Sequence, residues 1–110
     1  MAKRAKSQTK AKDTKQQLAN LLAKSPAEQV FLCHDGKVFV DMQELAEGLA
    51  AMSNETFAYH ANSEKNDFSN WLRDVIKDEK LASDLAKATT RLEATSFVTS
   101  RLAFLQSGLC

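Results

Sequence analysis

The sequence predicts an α+β fold that is mostly helical: one short β-hairpin followed by about four helices, behind a disordered basic N-terminal arm. Three observations carry this reading. Two β-branched and aromatic runs, at 30–34 and 37–40, flank Asp35-Gly36, a pair favoured in two-residue hairpin turns. Phe68, Trp71, Leu72, Val75 and Ile76 recur at i, i+3, i+4, i+7 and i+8, a complete apolar helix face. Gly and Pro number only 3 and 1 in 110 residues while Ala and Leu abound, so few positions interrupt a helix.

The length allows one domain. Residues 1–24 read as a basic, largely disordered arm and 25–110 as a small acidic α+β domain. Up to residue 16 the arm has nothing to bury after Met1, and disorder is the default for such a stretch. Leu18, Leu21 and Leu22 then fall at i, i+3 and i+4 and predict a short helix over 14–24, which Pro26 ends.

In the hairpin, a two-residue turn at Asp35-Gly36 pairs Cys33 with Val38, Leu32 with Phe39 and Phe31 with Val40. One face is then Phe31, Cys33, Val38 and Val40, and must dock on helices, because an isolated hairpin is marginal in water. Asp41 caps the next helix with Glu44 at capping-box spacing. Met42, Leu45, Leu49 and Met52 form its apolar stripe. Ser53 begins a short helix that turns Phe57 and His60 to one side, and Asn62-Ser63 breaks it. Asn66 or Asp67 caps the 68–76 helix. Asp78 caps a last segment from about Glu79, along which Leu81, Leu85, Ala88 and Leu92 continue one stripe. Beyond Thr95, Phe97, Val98, Leu102, Phe104, Leu105 and Leu109 surround the helix instead of striping it. That is too much apolar surface for one helix on a small body, so these six residues are expected to mediate self-association as a homodimer; the alternative is that the helix is central to a compact monomer.

Little in the sequence points to catalysis. There is no nucleophile elbow, phosphate-binding lysine loop or dinucleotide fingerprint, so no catalytic residue is expected. His34 reads as exposed at the hairpin end. His60 could pair with Asp67 or Glu64 for acid–base work, but the favoured reading is a half-buried histidine at a helix end. Cys33 and Cys110 are far apart; Cys33 reads as a small core residue and Cys110 as exposed. Two histidines and two cysteines scattered along the chain make no metal site, and no cofactor or small-molecule substrate is expected.

No apolar run reaches 18 residues, so no membrane span is expected. The N-terminus lacks the apolar core of a secretory signal, and position 2 is Ala, which excludes myristoylation. A transit peptide is the weaker alternative, since almost nothing large and apolar precedes Leu18. With two unpaired thiols, the expected location is cytoplasmic, with association to a nucleoid in reach.

The stretch 60–76 holds a His, then Asn66-Asp67-Phe68, Trp71 three residues on, and Asp74-Val75. Over roughly residues 30–88 the chain resembles short archaeal and bacterial proteins of uncharacterised function that carry this motif behind a lysine-rich leader. The resemblance implies structural roles: Asn66 and Asp67 as caps, Phe68 and Trp71 as core anchors.

Charge gives the one functional pointer. Residues 1–24 hold Lys3, Arg4, Lys6, Lys10, Lys12, Lys15 and Lys24 against Asp13, a net of +6; residues 25–110 hold 8 basic and 13 acidic side chains, a net of −5. Such an arm favours a polyanionic partner, so the expected function is sequence-tolerant nucleic-acid association through these seven cations. The alternative is a protein–protein adaptor with an incidental basic tail, or a tail that aids only solubility. For Trp71, at the centre of the 68–76 face, Trp71→Ala is expected to cost about 3–5 kcal/mol, read from denaturant melts. An unchanged melt with loss of partner binding would instead mark Trp71 as a ligand platform.

Overall fold

A computed structural model of the protein describes residues 15–109. In chain order it contains α1 (15–22), a 3-10 turn at Ala27–Gln29, β1 (Phe31–Leu32), β2 (Val38–Phe39), α2 (Met42–Ala51) and α3 (Asn54–His60). There follow α4 (Asp67–Trp71), which runs on through a π-helical turn at Leu72–Ile76, then α5 (Glu79–Lys87) and α6 (Arg91–Leu109). The fold is the mostly helical α+β class with one two-stranded antiparallel hairpin. Of the disorder expected up to residue 16, residues 1–14 fall outside the described residues, as does the exposure of Cys110, and residues 15 and 16 are helical.

The hairpin departs from the two-residue turn by one position. Phe31 pairs with Phe39 and Leu32 with Val38. The Gly36 N–H donates to the Cys33 carbonyl at 2.9 Å, and the Cys33 N–H donates to the Lys37 carbonyl at 2.9 Å. Gly36 sits at φ 96°, a left-handed conformation that a glycine adopts without Cβ strain. The connection is therefore a three-residue loop closed by a glycine bulge. A one-residue slip exchanges the faces of a strand. Phe31, Cys33 and Phe39 point inward, while Leu32 and Val38 are exposed.

Side-chain caps set the helix starts. Asp41 Oδ1 accepts the Glu44 N–H at 2.9 Å, and Glu44 Oε1 accepts the Val40 N–H at 2.9 Å, a reciprocal box displaced by one residue. Ser53, Asn66 and Asp78 cap α3, α4 and α5. The π-helical turn after α4 ends at Lys77, a left-handed residue (φ 73°), and the Asp78 N–H returns to the Leu72 carbonyl.

The final segment is two helices, not one. Thr90 Oγ1 accepts the Glu93 N–H, and Glu93 Oε1 accepts from both the N–H and the hydroxyl of Thr89. This second reciprocal box starts α6 and resets the helical phase. Leu81 and Leu85 consequently face the core, but Leu92 is 70% exposed and leaves the expected stripe.

The core lies where α6 runs along α2 and α5, and α4 packs on α5. Met42, Leu45, Leu49, Phe68, Leu72, Leu81, Leu85, Val98 and Leu105 are fully buried there. Arg91 ties the first turn of α6 to the end of α2, donating to the carbonyls of Leu49 and Ala50 and to Asn54 Oδ1. A guanidinium there satisfies carbonyls that a helix end leaves unpaired. Among the described residues, no buried side-chain polar atom lacks a hydrogen-bond partner.

Gly48 on α2 lets the hairpin seat. A Cβ at this position would overlap the outer edge of the Phe39 ring. Ala normally gains about 1 kcal/mol over Gly in a helix interior. Here Gly48→Ala is expected to lose about 1–3 kcal/mol through displacement of the ring. Denaturant melts measure this, and a stability gain would show that the hairpin can shift without cost.

Candidate functional site

The arm begins as part of the fold. In α1, Leu18, Leu21 and Leu22 pack against the core, and Leu18 lies against Gly108 near the end of α6. The folded body thus reaches into the segment expected to be arm, back to residue 15 at least. Of the seven expected contact cations, Lys15 and Lys24 flank the core-packed leucines of α1 and are exposed. Lys3, Arg4, Lys6, Lys10 and Lys12 lie outside the described residues.

The two histidines are brought together at the hairpin tip. His60, the last residue of α3, is 4% exposed, more deeply buried than expected. Its Nε2 accepts the backbone N–H of His34 at 2.9 Å, and its Nδ1 is 2.9 Å from Asp67 Oδ2. An accepting Nε2 assigns the proton to Nδ1, which donates to the carboxylate. Both ring nitrogens are occupied, so His60 has no lone pair to offer a substrate. It acts as a strut from the hairpin to α4. Glu64, the other partner expected for it, plays no part in this bond; its backbone N–H is taken by Asn62 Oδ1.

Around the strut, His34 stacks on Tyr59 with ring centroids 3.9 Å apart, and Lys65 lies 4.8 Å from the Tyr59 centroid while pairing with Asp67 at 3.1 Å. Tyr59 and Lys65 carry no sequence signal beyond their residue types. Cys33 is buried, and burial, the largest influence, pushes its thiol above the ordinary range, the opposite of an activated nucleophile. Among the described residues, no cluster of three His, Cys, Asp or Glu side chains is arranged to hold a metal ion. No described helix is long and apolar enough to cross a membrane.

The six residues expected to mediate self-association divide. Val98, Leu102 and Leu105 belong to the chain's own core, together with Ala94, because α6 is clasped by α2 and α5. For these three the chain's own core accounts for the burial, as expected of a helix central to a compact body. Phe97, Phe104 and Leu109 remain exposed. Phe97 and Phe104 line a groove of about 240 Å³ between α5 and α6, with Lys80, Asp84, Ser100 and Arg101. Arg101 is held from beneath: its Nε and one terminal nitrogen donate to the buried carboxylate of Asp78 at 2.8 and 3.2 Å. Such a forked pair fixes the guanidinium plane, which lies 5.3 Å from the Phe104 ring centroid.

No protein-family model matches this chain, and neither do curated proteins or solved structures.

Asp67 sets an acid limit on the strut. Burial pushes its carboxyl up, but hydrogen bonds from His60 and Lys65 outweigh this and hold it below the ordinary carboxylate range. A pKa lowered on folding gives stability that is present above the unfolded value and lost as pH falls through the folded one. Asp67→Asn is therefore expected to be less stable than the native chain at neutral pH, with the gap closing in acid below about pH 4. Thermal melts at pH 7 and pH 3 measure it, and a gap independent of pH would place the effect of Asp67 elsewhere.

Proposed function

We propose that this is a non-enzymatic, sequence-tolerant nucleic-acid-associated protein of the small nucleoid or histone-like kind. The observation that carries the reading is the charge division, +6 over residues 1–24 against −5 over 25–110. The cations grip phosphates, and the acidic body keeps the rest of the surface off the polyanion. Residues 1–24 contain no aromatic side chain, so base stacking plays no part in the arm's contact and binding is indifferent to sequence. The core-packed α1 supports the reading, since it ties the arm to the body through side chains that carry no charge.

The second reading is an adaptor whose body docks a partner protein and whose arm meets an acidic surface. The −5 of the body favours it, because that charge repels nucleic acid wherever the arm does not shield it.

Gel shifts on random-sequence duplex DNA at two salt concentrations separate the two. Full-length protein is expected to bind, with each neutralised phosphate adding roughly −0.9 to the log–log salt slope. Replacing Lys3, Arg4, Lys6, Lys10, Lys12 and Lys15 by Gln is expected to abolish binding. This variant keeps Leu18, Leu21 and Leu22, which a truncation at Ser25 would strip from the core. Binding retained by the variant, or absent from the native chain at low salt, defeats the nucleic-acid reading and leaves the adaptor.

A further inference from the structure

We propose that the groove between α5 and α6 receives Phe104 from a second copy of this chain, in a two-fold dimer. Phe104 is 60% exposed and Phe97 is 37% exposed, two helical turns apart on the outer side of α6. An exposed phenyl ring usually has freedom to lie back along its helix. Here Arg101 covers the ring, and the bidentate bond to buried Asp78 keeps Arg101 in place. The result is a presented ring beside a groove of about 240 Å³, comfortably larger than a phenyl group.

The same face supplies both the knob and the hole, and this makes it self-complementary. A two-fold axis across α6 inserts each Phe104 beside the other copy's Phe97. The charges agree with that operator. On the α5 rim, Lys80 and Asp84 carry opposite signs 3.0 Å apart, so two antiparallel copies bring Lys80 of each to Asp84 of the other. Arg101 is already neutralised by Asp78, and the face carries no net charge to repel its own kind.

Other occupants fit less well. A nucleic acid meets the Asp84 carboxylate at the rim. The chain's own first 14 residues hold no large apolar side chain after Met1 with which to fill the groove.

The test is sedimentation equilibrium of the full chain, free of nucleic acid, across micromolar concentrations. The expected result is a rise from the 12.2 kDa monomer towards twice that mass. Phe104→Glu is expected to move the midpoint to about ten-fold higher concentration or more, with an unchanged thermal melt at concentrations where the native chain is monomeric, because the side chain is exposed in the single chain. Leu32→Glu, at a site 71% exposed on the hairpin, is expected to leave association unaltered. Lys80→Glu is expected to weaken association, and the double exchange Lys80→Glu with Asp84→Lys to restore it. A mass of 12.2 kDa at all loadings overturns the proposal. So does native-like association of a folded Phe104→Glu, or an equal loss from Leu32→Glu. If Phe104→Glu fails to fold, the Lys80 and Asp84 exchanges decide: loss followed by restoration supports the dimer, and no change defeats it.

Discussion

Phe31 must face inward, and much of the rest follows from where its ring lies. Its centroid is within 5.0–5.8 Å of Phe39, His60, Phe68 and Trp71, so one side chain of the hairpin touches its partner strand, α3 and both ends of α4. Stacked and edge-to-face ring pairs add about 0.5–1.5 kcal/mol each beyond the area they bury. The cluster therefore rewards a particular hairpin position strongly. Two strands of two residues cannot hold themselves together. The aromatic cluster supplies the stability, and the hairpin's hydrogen bonds supply only its geometry.

Polar groups then fix what apolar packing leaves free to slide. The Trp71 indole N–H donates to the Gln29 carbonyl at 2.8 Å, pinning α4 to the chain before β1. His60 pins the hairpin tip to α4 through both nitrogens. Asp78 caps α5 through the Leu81 N–H and binds Arg101 of α6, so one buried carboxylate serves two helices. Each of these is a buried or half-buried group whose alternative is an unmet desolvation cost. They select one arrangement among several that would bury similar apolar area.

The sequence displays most of this fold openly, because local rules and global packing agree. The 68–76 face, the Met42–Met52 stripe and the capping residues Asp41, Ser53, Asn66 and Asp78 all sit where periodicity and side-chain chemistry place them. The hairpin is legible at Asp35-Gly36, yet its register is not. A glycine with positive φ fits a two-residue turn and a three-residue bulged loop equally, and the choice falls to Phe39, which reaches the Phe31 cluster only in the second. The start of α6 lies in Thr90-Arg91-Leu92-Glu93, a capping box that the continuing stripe of Leu81, Leu85 and Leu92 masks in the sequence. For the site, charge division is visible in the residues alone. The His34–His60–Asp67 strut and the Arg101–Asp78 fork are not, since they join residues 7 to 26 positions apart through backbone paths that no spacing rule encodes.

The contact between Leu18 and Gly108 brings the two ends of the folded chain side by side. Chains whose termini meet tolerate relocation of their ends to a loop elsewhere. Joining residue 109 to residue 15 through a short flexible linker and opening the chain at Asn62-Ser63 would preserve every buried contact described above. A label attached after residue 109, by the same geometry, stands beside the start of α1, so the two ends of the described chain are one attachment point and not two.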